Sequence, residues 1–203
     1  MTLRVLAMDT PARQLAATGE AIRVLRSGGL LILPTETVYG LCADPFSREA
    51  MARLYAAKSR DPSRPIAWLV DGMPRVIAAG ALVPRIAAEL AEAFWPGPLT
   101  LVLDLPDGRT QGFRVPGHEL SLALLRAWAA PLAATSANRS GHPDPVTAME
   151  AISEIGGHVD LALDAGPAAG GRSSTVVRVD ASGRWSILRE NALTRQDIER
   201  VAL

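Results

Sequence analysis

Four polar segments interrupt the apolar pattern of this 203-residue sequence, and each follows a predicted strand or helix. Ligand sites in α/β proteins commonly lie where polar loops leave such elements. The segments are rich in hydroxyl groups, amides, cations and glycine, the groups that bind phosphate or carboxylate oxygens. They cover residues 34–40, 58–65, 135–141 and 170–175.

The second segment holds three cations, Lys58, Arg60 and Arg64, within seven residues. Lys58 is the only lysine among the 21 basic residues, so an ammonium group stands out at this position. A point-charge ammonium and forked guanidinium groups are the donors that a phosphate-bearing ligand needs. The alternative is a helix C-terminus at which cations complement the dipole. Both interpretations are open at this point.

The other three segments carry hydroxyl groups and glycines. Thr35 directly follows a buried strand, where its hydroxyl either faces a pocket or stabilises a turn. The groups around Ser136 and Asn138 can donate to phosphate or carboxylate oxygens, or can form a hydrogen-bonded turn. Because no Gly-x-Ser-x-Gly elbow surrounds Ser136, a nucleophilic serine is disfavoured. The glycine pair at 170–171 resembles an anion-binding loop, but it matches neither the P-loop nor the dinucleotide fingerprint.

Composition excludes several function classes. The 21 basic and 21 acidic residues cancel, which argues against an obvious nucleic-acid binder but leaves a local basic patch possible. The single cysteine, Cys42, excludes an intrachain disulfide, and the three histidines have no zinc-type spacing, so we predict no metal ligands. No apolar run reaches the ~20 residues of a membrane span or forms a signal-peptide core at the N-terminus. We therefore expect a soluble, cytoplasmic protein.

Helical and strand patterns alternate along the chain, which favours an α/β layered domain with a twisted sheet. Thr10-Pro11 and Ser47 mark the starts of the first two helices, and the second helix ends near Lys58. The short spacing between predicted strands 174–179 and 185–188 indicates an antiparallel pair, and hence a mixed sheet. Further strands are predicted at 30–33, 66–70, 99–105, 132–134 and 161–163, with further helices at 84–94, 119–128, 146–155 and from Thr194. We predict a single domain over residues 1–203.

Seven motifs occur in a fixed order between about Gly28 and Thr194. Together they resemble the YrdC-like family of threonylcarbamoyl-AMP synthases, in its short bacterial, TsaC-type form. The resemblance implies an open, twisted, mixed α/β sheet with flanking helices around a concave cleft. The motifs are Pro-Thr-Glu-Thr-x-Tyr-Gly-Leu, Lys-x-Arg-x4-Pro-Ile, Trp-Pro-Gly-Pro-Leu-Thr, Arg-Val-Pro-x-His, Thr-Ser-Ala-Asn-x-Ser-Gly, Ser-Thr-Val-Val and Ile-Leu-Arg.

The resemblance implies a nucleotidyltransferase that joins L-threonine, bicarbonate or CO2, and ATP into L-threonylcarbamoyl-AMP and pyrophosphate. Partner proteins would then transfer the threonylcarbamoyl group to adenosine 37 of tRNA. Mg2+ would accompany the ATP. Positioned cations and hydrogen-bond donors can support this chemistry without a covalent protein intermediate.

The resemblance also implies roles for individual residues. Lys58 and Arg60 would be catalytic and would bind the triphosphate. Arg114 would pair with the threonine carboxylate, for which a bidentate fork is well suited. The remaining expectations are Thr35 and Ser174 for threonine, and Thr110, Ser136, Asn138 and Arg189 for ATP. Two departures from the family pattern affect loops: Asp61 stands where proline is usual, and residues 110–113 are less β-branched.

Two alternatives to the synthase remain. The first is a non-enzymatic YrdC-like paralogue that binds RNA or the ribosome, which would show salt-sensitive RNA binding without ATP turnover. The second is carbamoyl transfer in hydrogenase maturation, where the domain sits within a much larger chain. The sequence favours the synthase over both.

Overall fold

The computed structural model describes residues 3–202 and contains ten strands and seven α-helices in that range. The strands are β1 (Arg4–Ala7), β2 (Leu31–Leu33), β3 (Gly40–Ala43), β4 (Ala67–Leu69), β5 (Leu99–Asp104), β6 (Thr110–Arg114), β7 (Leu132–Ser136), β8 (Leu161–Asp164), β9 (Thr175–Val179) and β10 (Trp185–Arg189). The helices are α1 (Pro11–Arg26), α2 (Arg48–Ala57), α3 (Met73–Ala78), α4 (Arg85–Phe94), α5 (Glu119–Trp128), α6 (Ala148–Ile155) and α7 (Arg195–Ala202).

Helix starts follow the predicted capping residues. The Thr10 hydroxyl accepts a hydrogen bond from the Arg13 amide before α1, and the Ser47 hydroxyl accepts one from the Ala50 amide before α2. Each side chain satisfies an amide that has no partner inside the helix. Lys58 is the C-terminal cap of α2, as predicted.

The ten strands form one sheet in the order β1-β8-β2-β3-β7-β4-β6-β5-β9-β10. Parallel and antiparallel pairs are mixed, and β9 and β10 are antiparallel. The predicted mixed α/β sheet is therefore confirmed. Among the described residues, no helix is long and apolar enough to cross a membrane.

Four elements, β1, β3, β6 and α3, lie where the sequence analysis predicted no regular structure. Strand β6 reads Thr-Gln-Gly-Phe-Arg, which has weak strand propensity. It forms because β4 and β5 flank it and supply hydrogen bonds on both edges. Strand β3 likewise lies between β2 and β7. Long-range pairing therefore overrides local propensity in both strands.

Successive side chains of a strand point to opposite faces of the sheet, so the core is divided into layers. In β2, Leu31 and Leu33 pack in the layer of α1 and α5, whereas Ile32 packs in the layer of α2 and α6. In β5, Leu99 and Leu101 pack with α4 and α7. The opposite face of that half of the sheet forms the floor of a cleft, because helices cover only one of its faces.

Candidate active site

A cleft of about 770 Å³ lies on the face of the sheet that spans β3 to β10. Its size is that of a typical small-molecule site. Residues that alternate along the strands line it: Val176 and Arg178 on β9, with Ser174 directly before that strand, and Thr100 and Val102 on the neighbouring β5. The sheet therefore presents every second side chain to any molecule in the cleft.

Every candidate site residue from the sequence lies on the wall of this cleft. These residues come from segments that are up to 154 positions apart, and the fold brings them together. Their individual ligand roles remain predictions. The set is Thr35, Lys58, Arg60, Thr110, Arg114, Ser136, Asn138, Ser174 and Arg189.

The Lys58 ammonium is almost fully buried, with 2% of the residue exposed. Its Nζ donates to the Ser136 carbonyl at 2.6 Å and to Asn138 Oδ1 at 2.8 Å. The Ser136 hydroxyl also donates to Asn138 Oδ1, at 2.6 Å. The end of α2 and the loop after β7 are thus joined through one charged network.

Burial governs the charge of this lysine. Desolvation lowers the pKa of Lys58 from 10.5 to about 8, and the nearby Asp144 carboxylate opposes that shift. The ammonium form predominates at neutral pH and can offset phosphate charge. An anion that enters the cleft would favour this charged form further.

Helix α6 anchors the loop that follows Asn138. The Asn138 amide donates to the His142 carbonyl at 2.6 Å. The Glu154 carboxylate accepts from the Arg139 backbone amide at 3.3 Å and contacts the His142 imidazole at 2.8 Å. Ser140 also donates, from its amide and its hydroxyl, to the Lys58 carbonyl. The loop is therefore held by α6 on one side and by the end of α2 on the other.

Arg60 follows Lys58 on the cleft wall. Its Nη2 donates to the Pro65 carbonyl at 3.1 Å, while its buried Nε has no hydrogen-bond partner among the described residues. A buried donor without a partner is costly, so a ligand acceptor would be favoured there. Asp61, which departs from the family pattern, accepts from the Ser63 amide and stabilises the turn itself.

Ser174 and Arg189 form a second polar group on the far side of the cleft. The Ser174 hydroxyl lies 2.8 Å from the Thr100 hydroxyl, and Arg189 donates to the Ser174 carbonyl from Nε at 3.2 Å and from Nη2 at 2.9 Å. Desolvation, together with the nearby Arg114 and Arg60, lowers the pKa of Arg189. A cation placed among other cations is suited to an anionic ligand.

The Arg114 side chain is nearly buried and paired with a carboxylate. Its Nη2 donates to Glu36 Oε1 at 2.6 Å and to the Thr37 hydroxyl at 2.8 Å. Its Nε donates to the Gly97 carbonyl at 3.1 Å. The guanidinium fork is thus directed at the protein in this structure, and pairing with a threonine carboxylate stays a prediction.

Thr35 lies on the cleft wall, but its hydroxyl is engaged in the local turn. It donates to the Val38 carbonyl at 2.6 Å and accepts from the Thr37 and Val38 amides at 3.3 Å. The hydroxyl of Thr35 therefore stabilises a turn, which is one of the two roles that the sequence left open. A ligand contact would add to that role.

Sequence reasoning assigned no function to Thr100, Asp144 or Arg178, which also line the cleft. Arg178 could have been predicted from the sequence, because it lies four residues after Ser174 and alternate side chains of a strand share one face. Its guanidinium pairs with Asp104. Thr100 stands within the motif Trp-Pro-Gly-Pro-Leu-Thr, but its contact with Ser174 depends on the pairing of β5 with β9. Asp144 lies in a loop and has no sequence signal.

Within residues 3–202, no group of three or more histidine, cysteine, aspartate or glutamate side chains is arranged to hold a metal ion. Cys42 is fully buried, and desolvation raises the pKa of its thiol to about 12. It is a core residue, as the sequence indicated.

A protein-family model named for Sua5, YciO and YrdC, and described as "Telomere recombination", matches residues 23–191. The chain belongs to the Sua5/YciO/YrdC family. The resemblance inferred from the seven motifs is therefore confirmed. The described fold and cleft are those of a family member.

Known members are similar over most of this chain. A Mycobacterium tuberculosis relative, provisionally named a threonylcarbamoyl-AMP synthase, is 39% identical over 191 residues, which cover 89% of this chain and 87% of the relative. A Pyrococcus abyssi relative named threonylcarbamoyl-AMP synthase is 35% identical over 188 residues, 87% of this chain. This chain spans 54% of the length of the Pyrococcus protein.

A solved member has the same architecture. The structure of Pyrococcus abyssi Sua5 complexed with L-threonine matches with a TM-score of 0.87 at 30% identity. The match covers 99% of this chain and 61% of the Sua5 chain. The fold described here is thus similar to that of a family member whose structure is known in complex with L-threonine.

Proposed function

We propose that this protein is an L-threonylcarbamoyladenylate synthase, a nucleotidyltransferase that acts in tRNA modification. The observation that carries the proposal is the convergence of Lys58, Arg60, Arg114 and Arg189 on one cleft, in a family whose relatives carry the synthase name. Cations gathered in one cleft match a reaction in which the threonine carboxylate, the carbamate and the ATP phosphates are all anionic.

The reaction balances without a covalent protein intermediate. The threonine amine attacks the carbon of CO2 or bicarbonate, loses a proton and becomes a carbamate, with loss of water when bicarbonate is the source. A carbamate oxygen then forms a bond to the α-phosphorus of ATP. The bond from that phosphorus to the bridging oxygen breaks, and pyrophosphate leaves with the electron pair. The protein must bring the reactants together and offset the accumulated charge.

The residues divide into two groups by the ligand that each would bind. Lys58, Arg60 and the Ser136–Asn138 turn would bind the triphosphate, with the charged ammonium as a fixed point charge. Arg114, Ser174 and Thr35 would bind threonine. We expect Thr110 and Arg189 to contact the nucleotide.

Mg2+ would enter the cleft with ATP. Mg2+ is commonly bound through one or two carboxylates together with substrate phosphates, and the cleft wall offers one carboxylate, Asp144. The donor set therefore fits a nucleotide-borne Mg2+ better than a resident metal. When bound, the ion would neutralise phosphate charge, which assists departure of pyrophosphate.

The product would be used by other proteins. A mixed carbamic–phosphoric anhydride is reactive, so hand-over to the tRNA threonylcarbamoyl transferase machinery would be transient and rapid. We expect this step in the cytoplasm, where tRNA and ATP are available.

The decisive experiment measures pyrophosphate release from ATP and Mg2+, with and without L-threonine and bicarbonate. We expect release that requires both, and a fall of at least ~10²-fold in kcat/KM for Lys58→Met, since a charge-stabilising donor is lost. A folded wild-type protein without threonine-dependent release would contradict the proposal. Salt-sensitive binding of structured RNA by such a protein would then favour the RNA-binding alternative.

A further inference from the structure

The Arg114 guanidinium has five N–H groups, one on Nε and two on each Nη. Glu36 and Thr37 accept from Nη2, and the Gly97 carbonyl accepts from Nε. Three of the five hydrogens are therefore used inside the protein. Within residues 3–202, Nη1 has no hydrogen-bond acceptor, so its two hydrogens are the ones available to a ligand.

The Glu36 carboxylate lies behind this guanidinium and not on the cleft wall. Arg114 and Thr35 line the cleft, whereas Glu36 and Thr37 do not. Glu36 Oε2 is buried and has no hydrogen-bond partner among the described residues. The carboxylate thus contacts Arg114 from a position outside the cleft lining, with 22% of its side chain exposed.

Two glycines lie closely against Glu36. A Cβ on Gly117 would lie 3.3 Å from the Glu36 side chain, and a Cβ on Gly170 would lie 2.7 Å from the Glu36 carbonyl. The backbone therefore packs closely against Glu36, which indicates a built arrangement and not a chance surface contact.

We propose that Glu36 is a positioning residue that holds Arg114 so that Nη1 alone is presented to the threonine carboxylate. This inference rests on the proposed function. In this arrangement Arg114 would bind the threonine carboxylate through the two hydrogens of Nη1, and not through a fork of two nitrogens. It also gives the glutamate of the motif Pro-Thr-Glu-Thr a role that sequence analysis left open.

The experiment compares Glu36→Gln with Asp160→Asn. Asp160 is a matched control, because its carboxylate is also mostly buried and pairs with an arginine, Arg53, at 2.8 Å, but it does not line the cleft. Kinetic constants for threonine and ATP would be measured separately by pyrophosphate release. Threonine affinity would be measured by calorimetry without ATP, and folding would be followed by thermal melting.

We expect Glu36→Gln to weaken threonine binding by roughly tenfold, as the loss of a charged hydrogen-bond partner does, while KM for ATP changes less than about twofold. Asp160→Asn should lower the melting temperature and leave threonine affinity unchanged. Because removing one partner of a buried pair can prevent folding, Glu36→Asp is the second variant. It keeps the charge, and we expect it to recover part of the lost affinity.

Two results would overturn the proposal. Unchanged threonine affinity in folded Glu36→Gln would show that the carboxylate does not position Arg114. Tighter threonine binding would show that Glu36 competes with the substrate for the guanidinium. Failure of the proposed function itself is distinguishable, since wild-type protein would then release no pyrophosphate in response to threonine, whatever the variants do.

Discussion

At the scale of the residue, Lys58 is an ammonium that the fold buries and then supplies with oxygen acceptors. Its contacts with the Ser136 carbonyl and Asn138 Oδ1 offset part of the desolvation. The remaining desolvation lowers its pKa to about 8. This value lies close enough to neutrality for the charge of Lys58 to titrate in an accessible pH range.

We therefore expect kcat/KM for ATP to be constant below about pH 8 and to fall as pH rises through that value, because the ammonium loses its proton. The measurement is a pH profile at saturating threonine, which removes titration of the substrate amine from the result. In Lys58→Arg the charge persists at alkaline pH, so any residual activity should lose this decline. An unchanged alkaline decline in that variant would assign it to another group.

The free energy of unfolding should also change as Lys58 titrates, but in the direction opposite to kcat/KM. The unfolded chain binds a proton at this lysine up to about pH 10.5, and the folded protein only up to about pH 8. Between these values the unfolded state holds more protons, so the Lys58 contribution to the free energy of unfolding rises with pH. Burial of the ammonium thus costs stability at neutral pH, which is consistent with a functional role for the charge.

At the scale of the element, α6 supports the loop that carries Asn138. Its N-terminus has a complete capping box, in which the Thr147 hydroxyl accepts from the Glu150 amide and the Glu150 carboxylate accepts from the Thr147 amide. Near its C-terminus, Glu154 contacts the loop through the Arg139 amide and His142. The N-terminal cap therefore stabilises α6, whereas Glu154 near its C-terminus positions the loop.

We expect Glu154→Ala to raise KM for ATP by roughly fivefold, the equivalent of about 1 kcal/mol of lost hydrogen bonding. Thr147→Ala is the matched control on the same helix. It should destabilise the protein by about 1 kcal/mol, as loss of an N-cap does, without a change in KM. Steady-state kinetics and chemical denaturation would measure the two effects. Equal kinetic effects of both variants would show that the loop depends only on helix stability.

At the scale of the whole molecule, the cleft joins strands from β3 to the edge strand β10. Its walls come from segments as distant in the chain as Thr35 and Arg189. A ligand that contacts both walls binds the folded chain and not the unfolded one. Binding should therefore stabilise the protein as a whole.

We expect L-threonine together with an ATP analogue that resists cleavage at the α-phosphorus to raise the melting temperature. At a ligand concentration of ~100 times Kd the gain is about 2.7 kcal/mol, which corresponds to roughly 5–10 °C for a chain of this size. Differential scanning calorimetry would measure the shift, with D-threonine as the control. Equal shifts with both enantiomers would contradict a specific threonine site.

The sequence by itself determined the elements with strong local signals and the candidate residues that the structure places on the cleft wall. The capped helices α1 and α2, the apolar strands β2 and β5, and the polar motifs were all predictable from spacing and residue type. Family membership also followed from the order of the motifs. These features depend on residues that are close together in the chain, so local rules suffice for them.

Only the tertiary structure decided which polar groups meet. Strands β3 and β6 exist because their neighbours pair with them. Arg114 meets Glu36 from 78 positions away, and Lys58 meets Ser136 at the same separation. Hydrogen-bond geometry of this kind is fixed by sheet register and, at Glu36, by the close approach of Gly117 and Gly170. Those are properties of the folded packing, which no local pattern in the sequence encodes.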